Sequence, residues 1–419
     1  MAKAQTDLFN KASKVVLVRD EEKTVVTMSN DYQGKLKEFA IVIPVPEVLK
    51  RKQIHIGQQK VVDHLDSYTA PRLVEYFDKD PCRSPRLIRK MGTLPILGQK
   101  SSKPKKEKKS KLGVKIEAKY TVGEYDILIL SAKQSNGLFT WLNREGYKLP
   151  KGAKEILGSY IKQDLKFFVA KVNLKKQAKL GYKFLRPIQI AYESEKFMLP
   201  IRLGTLNSKG HQDLFVFALT RKGRVELKNY RTVKIPSNMD IPVFVKNEFN
   251  EFYKDMFSEQ VRKENMKVAF LEYAWDMGWC DPCAADPLSE KELKSLGVFW
   301  NQSLGNGSSF SRGSNVYVTR LHLRYTAKTF PEDLFFQVTS NRKNYQGRYV
   351  LRHKWKGEAK SCKRAEEYKK ALPERHNREA ENLARLTAWD INEIRKKMKL
   401  NSNWGGKKPL KKWYETLWE

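Results

Sequence analysis

The chain has 419 residues, and its 81 Lys and Arg residues against 47 Asp and Glu residues give a formal net charge of +34. Apolar residues make up 40% of the sequence and aromatic residues 11%, enough to build hydrophobic cores, so a disordered polycation is excluded. No stretch approaches the roughly 18 to 20 consecutive apolar residues of a membrane helix. The sequence contains no P-loop, dinucleotide-binding glycine motif, HExxH or GxSxG, and therefore indicates no particular reaction.

The first hundred residues are predicted to form strands separated by turns. Residues 14–19 and 24–28 are rich in β-branched side chains and flank a polar turn, which predicts a hairpin. Residues 39–45 are apolar throughout, which predicts a strand covered on both faces near the centre of a sheet. Apolar residues recur every three or four positions over residues 61–77, which predicts helical segments interrupted near Pro71.

A lysine-rich tract changes the composition abruptly between residues 98 and 119. Such a tract buries nothing and repels itself, so we expect a solvated loop or linker, with polyanion or nucleic-acid binding as the alternative. Its candidate polyanion-binding residues are Lys100, Lys103, Lys105, Lys106, Lys108, Lys109 and Lys111.

Strand patterns dominate the middle of the chain. They cover residues 125–130, 167–172, 188–192, 198–203 and 214–219, with helical patterns at 137–144 and 153–162. A polar turn at 220–224 follows the last of these strands and precedes another strand at 225–233, which predicts a second hairpin.

Helical patterns become dominant in the last third. Helices are predicted at 243–262, at 290–296 after the cap Ser289, at 364–388 with a kink or break at Pro373, and at 391–398 after the cap Asp390. A strand is predicted at 316–325. The expected fold class is α+β, with largely antiparallel sheets, helices packed on one side and a helical C-terminal region. The expected regions are 1–97, 98–119, 120–353 and 354–419.

Four cysteines are the main candidates for chemistry: Cys82, Cys280, Cys283 and Cys362. The Trp279-Cys-Asp-Pro-Cys sequence follows a strand-like run, as in thioredoxin-type redox sites. However, Asp281 would raise a neighbouring thiol pKa, and residues 284–287 break the helix that such a site needs. These features favour structural disulfides, either within the pair or as two bridges that also use Cys82 and Cys362. A redox site, zinc binding and free thiols are the alternatives.

Other candidate groups are weaker. The six histidines are scattered and form no pair at helical spacing, so no metal site or cofactor is predicted. Basic and aromatic residues interleave between residues 345 and 355 and again near the C-terminus. The second group places Trp413, Tyr414, Leu417 and Trp418 at helical steps, which predicts docking onto the protein's own core or a partner; nucleic-acid and membrane-surface binding are the alternatives.

Several stretches together resemble one bacterial family. They include LFNKASKVVLVRD from Leu8, FAIVIPVP from Phe39, LPIRLGTLNSKGHQDLFVFALT from Leu199, WCDPCAADPLS from Trp279 and FPEDLFFQVTSNRKNYQGRYVLRHKW from Phe330. The chain resembles the bacterial domain-of-unknown-function family numbered twenty-three-thirty. The resemblance implies one integrated family unit and an extracytoplasmic protein, because members usually begin with a secretion signal. The present sequence lacks such a signal, so a trimmed mature form is expected. The family has no established reaction, and no catalytic residue carries over.

An extracytoplasmic location favours disulfides over zinc thiolates. It also makes anionic surface polymers or an acidic protein the expected partner, with nucleic acid less favoured. A functional charge should form a patch, since salt screens attraction beyond roughly 8 Å. We therefore expect a non-catalytic extracytoplasmic binding or assembly protein with a basic surface. The alternatives are a thiol-disulfide oxidoreductase with Cys280 as nucleophile and Cys283 as resolving thiol, and polyanion or nucleic-acid binding by the lysine-rich tract.

Overall fold

The computed structural model describes residues 9–33, 40–82, 114–145, 149–173, 176, 185–206, 210–279, 286–300 and 315–399. The described chain divides into two compact units. The larger unit combines residues up to Pro71, residues from 114 to Ile235, and Glu264–Gly347; the smaller unit combines Arg72 to Cys82, Pro236–Lys263, and the chain from Arg348. Each unit is thus built from three separate segments, whereas the regions predicted from the sequence are consecutive.

Nineteen strands and eight α-helices are described. The strands are β1 (Phe9–Asp20), β2 (Lys23–Gln33), β3 (Ala40–Val45), β4 (Ile54–Ile56), β5 (Arg72–Phe77), β6 (Val114–Val122), β7 (Tyr125–Ala132), β8 (Lys166–Val172), β9 (Ile188–Glu193), β10 (Met198–Leu199), β11 (Gln212–Thr220), β12 (Val225–Leu227), β13 (Arg231–Lys234), β14 (Met239–Ile241), β15 (Val268–Asp276), β16 (Tyr317–Tyr325), β17 (Leu334–Val338), β18 (Tyr345–Gln346) and β19 (Arg348–His353). The helices are α1 (Gln59–Thr69), α2 (Ser135–Arg144), α3 (Ala153–Lys162), α4 (Arg202–Thr205), α5 (Phe249–Lys263), α6 (Glu290–Ser295), α7 (Lys363–Thr387) and α8 (Ile391–Lys397). None of these helices is long and apolar enough to cross a membrane.

The larger unit is organised around a nine-stranded sheet. Its strands follow the order β13-β15-β16-β11-β1-β2-β9-β4, with β18 paired to β15. Strands β1 and β2 form the predicted hairpin, and most other pairs are also antiparallel; β1–β11 and β13–β15 are parallel. The predicted α+β class with largely antiparallel sheets is therefore confirmed.

Helices cover the sheets of the larger unit with their apolar sides. Helix α1 buries Val62 and Leu65 against Val16 and Phe217 of the nine-stranded sheet. A second sheet, β3-β8-β7-β6, is covered by α2 and α3, whose Leu138, Leu142 and Leu157 are buried in the same cluster as Phe167. A third sheet has the order β10-β17-β12.

Two predictions for the first hundred residues were wrong. The apolar strand at 39–45 lies at the edge of its sheet as β3, not at the centre. Pro44 has no N–H to donate, and an edge position requires none on the open side. Residues 72–77 form strand β5 instead of helix, because Pro71 follows the end of α1 and the aromatic residues of β5 pair with β19.

The structure also differs from the sequence-based predictions in strand boundaries and strand pairing. The loop predicted for 98–119 overlaps β6, which starts at Val114; residues 98–113 lie outside the described chain. The strand predicted at 198–203 consists only of β10 followed by helix α4. The predicted second hairpin is absent, since β11 pairs with β1 and β16 while β12 pairs with β17. A local turn pattern does not reveal that both edges of β11 are already occupied.

Helix ends were predicted more accurately. Ser289 caps α6 by accepting a hydrogen bond from the Glu292 N–H, and Asp390 caps α8 by accepting bonds from two backbone N–H groups. Helix α7 runs without interruption through Pro373, so the proline does not divide it.

The smaller unit contains helices α5, α7 and α8 and a parallel three-stranded sheet of order β14-β19-β5. Tyr349 of β19 is fully buried and meets Phe252 of α5 edge-to-face, with ring centroids 4.8 Å apart. Helix α7 buries Leu383 and Leu386, and the Leu386 carbonyl accepts a hydrogen bond from Gln260 of α5.

A chain of buried ion pairs crosses the larger unit. Glu272 of β15 is fully buried and accepts hydrogen bonds from Arg320 Nε at 2.5 Å and from His322 Nδ1 at 2.7 Å. Arg320 also pairs with Asp66 of α1, and Lys14 Nζ lies 2.6 Å from Asp66. Burial opposes ionisation, but the pKa of Asp66 is lowered by Arg320 and Lys14. The network joins α1 to three strands of the sheet.

We expect Glu272→Gln to destabilise the protein by about 3–5 kcal/mol, because it removes the fully buried one of the two carboxylates that pair with the buried Arg320. Urea unfolding followed by circular dichroism measures the loss. The control Glu264→Gln removes the partner of the exposed Arg231 and should cost less than about 1 kcal/mol. Equal losses in both variants would contradict a special role of the buried network.

Candidate functional site

The residues predicted as site candidates fall mostly outside the described chain. This applies to the lysine-rich tract, to Cys280 and Cys283, and to the C-terminal Trp413, Tyr414, Leu417 and Trp418. Cys82 and Cys362 are described, and they form a disulfide with their Cα atoms 6.0 Å apart. The prediction of a disulfide is confirmed at this pair, which joins positions 280 residues apart in the sequence.

An exposed basic segment, residues 354–364, contains Cys362 and leads into helix α7. One acidic residue, Glu358, lies within it. The segment carries five exposed cations that form no ion pair with any described residue: Lys354, Lys356, Lys360, Lys363 and Arg364. Five cations in eleven residues form a local concentration of positive charge on the smaller unit.

Trp355 anchors the beginning of the basic segment to α7. Its backbone N–H donates a 2.9 Å hydrogen bond to the Tyr368 hydroxyl oxygen, and its ring lies edge-to-face with the Tyr368 ring at 6.1 Å. Lys369 Nζ donates to the Trp355 carbonyl at 3.3 Å and lies 5.2 Å from the indole centroid. A side chain at Gly357 would overlap the Trp355 ring, so only glycine fits at that position.

Asp78, just after β5, connects this anchor to the sheet. Its carboxylate accepts hydrogen bonds of 2.6 Å from both the Tyr368 hydroxyl and Arg375 Nη1. Its backbone N–H donates to the His353 carbonyl at 3.0 Å. Burial raises the pKa of Tyr368, which keeps the phenol protonated as the donor to Asp78. Together with the Cys82–Cys362 disulfide, Asp78 holds the basic segment at two points.

Two exposed aromatic rings lie at the end of β5. The Phe77 side chain is 71% exposed and stacks on the His353 ring, with centroids 4.4 Å apart and planes at 10°. Tyr76 is 41% exposed and lies below the Arg352 guanidinium at 5.4 Å. Because successive residues of a strand point to opposite faces, only Phe77 shares a face with His353, the residue before Lys354.

Helix α7 also buries a carboxylate, Glu379, which is 2% exposed. Its Oε1 lies 3.5 Å from Arg375 Nε. Burial raises the pKa of Glu379 to about 7, with Arg375 and Arg352 opposing the shift and Asp240 and Asp78 adding to it. Glu379 therefore changes charge near neutral pH, next to the arginine that binds Asp78.

The larger unit contains a cleft of about 280 Å³. Pro44, Pro46, Tyr192 and Met198 contribute to its walls, and Lys196 lies at its rim. No His or Cys is among the described residues that line it, and no three His, Cys, Asp or Glu side chains of the described chain come together as metal ligands.

Sequence reasoning missed Asp78, Tyr368 and Phe77 as parts of this surface. The density of cations in residues 354–364 is visible in the sequence, and the basic-aromatic group at 345–355 overlaps its start. The pairing of β5 with β19 joins residues more than 270 positions apart, as Phe77 and His353 show. No local pattern contains that information.

The described chain defines an α+β protein with a disulfide-anchored basic surface. Residues 1–337 match the family described as an uncharacterized protein conserved in bacteria (DUF2330), and the chain belongs to this family. The match ends within β17, so β19, α7 and Cys362 follow the matched residues. No curated protein and no solved structure matches the chain.

The raised pKa of Glu379 predicts a pH dependence of stability. The folded protein retains a proton on Glu379 where the unfolded chain, with a pKa near 4.5, has lost it. Stability should therefore fall as pH rises from about 4.5 to about 7 and then level off. We expect Glu379→Gln to reduce the loss of stability between pH 5 and pH 8 by about 2 kcal/mol. Urea unfolding at both pH values measures this difference in the free energy of unfolding.

The exposed Glu381 of the same helix provides the control. Glu381→Gln should leave the difference between the two pH values close to that of the unmodified protein. An unchanged difference in Glu379→Gln would show that Glu379 is ionised at similar pH in the folded and unfolded chains, contrary to its burial.

Proposed function

We propose that this protein is a non-catalytic extracytoplasmic binding protein that holds an anionic surface polymer on the basic segment. The supporting observation is the set of five exposed cations within residues 354–364, which have no ion-pair partner in the described chain and are fixed at two points. A fixed array of cations loses less conformational freedom on binding than a disordered tract.

The position of these cations is unfavourable for folding alone. Lys363 and Arg364 are the first two residues of α7, at the positive end of the helix dipole, where acidic side chains stabilise a helix. A bound anion would be attracted by the side chains and by the helix terminus together. The location of these two cations at a helix N-terminus therefore supports anion binding.

A polymer suits the segment better than a single small anion. The cations are spread over eleven residues, so a ligand with repeated negative charges can engage several of them at once. Each additional contact is then intramolecular and displaces counterions from the polymer, which strengthens binding and makes it depend on salt.

The disulfide supports the proposed location. Cys82–Cys362 lies within the surface itself, and structural disulfides persist mainly in oxidising compartments. The oxidoreductase and lysine-tract alternatives depend on residues outside the described chain and stay predictions.

The test replaces Lys354, Lys356, Lys360, Lys363 and Arg364 by Gln together. Binding of fluorescently labelled polygalacturonate, a polymer of carboxylate-bearing sugars, is followed by anisotropy over a series of salt concentrations. We expect the affinity to fall roughly tenfold or more and the dependence on salt to become flatter.

A matched control separates the segment from the general charge. Lys52, Lys60, Lys133, Lys154 and Lys328 of the larger unit are also exposed and have no ion-pair partner in the described chain. Replacing these five by Gln changes the net charge equally but should alter affinity by much less. Equal losses of affinity in the two variants would show that binding depends on the net charge and not on the basic segment. Binding of an acidic protein but of no polymer would also contradict the proposal.

A further inference from the structure

Phe77 adds a feature that the attraction of charges does not explain. It is a large apolar side chain with 71% of its surface exposed, at the last position of β5. The His353 ring covers one of its faces in a parallel stack and holds the ring in place. The pairing of β5 with β19 positions both backbones, and Phe77 presents the uncovered face of its ring as an apolar platform.

The platform adjoins the cations of the basic segment. Phe77 is the register partner of His353; Lys354 is the next residue along the chain, and Lys356 comes two residues after Lys354. The hydrogen bond from the Asp78 N–H to the His353 carbonyl continues the contact past the end of the strand pair. A ligand lying along residues 354–364 therefore meets a flat apolar ring at one end and positive charges along its length.

Resting on the proposed function, we propose that the ligand of this surface is an acidic polysaccharide, one of whose sugar rings packs on Phe77 while its acid groups pair with the neighbouring cations. The C–H face of a sugar ring covers an aromatic ring through dispersion contacts, and its hydroxyl groups remain in water. A polyphosphate chain carries the charge but has no ring to cover Phe77.

Single-stranded nucleic acid also combines rings with negative charge. The disulfide favours the polysaccharide, because it forms part of the same surface and indicates an oxidising compartment. Nucleic acid is therefore an outcome of the test.

The experiment compares polygalacturonate with inorganic polyphosphate at equal charge concentration and ionic strength, using the full chain. We expect Phe77→Ala to weaken polygalacturonate binding roughly five- to tenfold and to leave polyphosphate binding unchanged. Phe77→Trp keeps an aromatic platform and should retain the affinity for polygalacturonate. Tyr76→Ala removes the exposed aromatic ring on the other face of β5 and should change neither affinity more than about twofold.

The outcomes separate the ligand class from the binding function. If polygalacturonate binds and the cation variant loses it, but Phe77→Ala has no effect, the polysaccharide assignment is wrong and the proposed function stands. If Phe77→Ala weakens the binding of both polymers equally, the substitution disturbs the surface in general, and the assignment of Phe77 as a sugar platform is wrong. Tighter binding of oligo-dT that also depends on Phe77 would assign nucleic acid instead. Binding of none of these polymers would overturn both proposals.

Discussion

The imbalance of charge is the main constraint on this protein. Its 47 Asp and Glu residues are too few to pair with its 81 Lys and Arg residues. Three deeply buried carboxylates already have partners inside the fold. Glu272 binds Arg320 and His322, Glu124 binds Arg186, and Asp333 accepts from the Tyr160 hydroxyl. A buried charge without a partner costs several kcal/mol. These carboxylates are therefore not available to pair with the Lys and Arg residues at the surface. The remaining positive charge must stay in contact with solvent or with a ligand.

The smaller unit concentrates part of this charge instead of dispersing it. Asp78 and the Cys82–Cys362 disulfide fix both ends of a short basic segment, and Gly357 leaves room for the Trp355 ring that anchors it. Fixation would reduce the entropy lost on binding the proposed polymer, and the exposed Phe77 ring would add an apolar contact at one end. The proposed binding surface therefore depends on a residue that also stabilises the fold, because Asp78 binds Tyr368 and Arg375 of α7.

Sequence reasoning predicted what depends on neighbouring residues. The β1–β2 hairpin and the caps Ser289 and Asp390 follow from patterns a few residues long. It failed where distant segments decide the outcome: β3 is an edge strand, and β5 is a strand because β19 pairs with it. The basic segment could be predicted from the sequence only in part. Its cations can be read from the sequence, but Asp78 and Phe77 join them only through a sheet built from three separate segments.

We propose that an anionic polymer binds the basic segment and the adjoining end of β5. Hydrogen-deuterium exchange with and without polygalacturonate tests it most directly, because it locates the ligand without any substitution. We expect slower exchange in peptides that cover residues 72–82 and 354–364, with little change in β1 and β11 of the larger unit. Slower exchange confined to the lysine-rich tract at 98–113, or no change anywhere at saturating polymer, would contradict it.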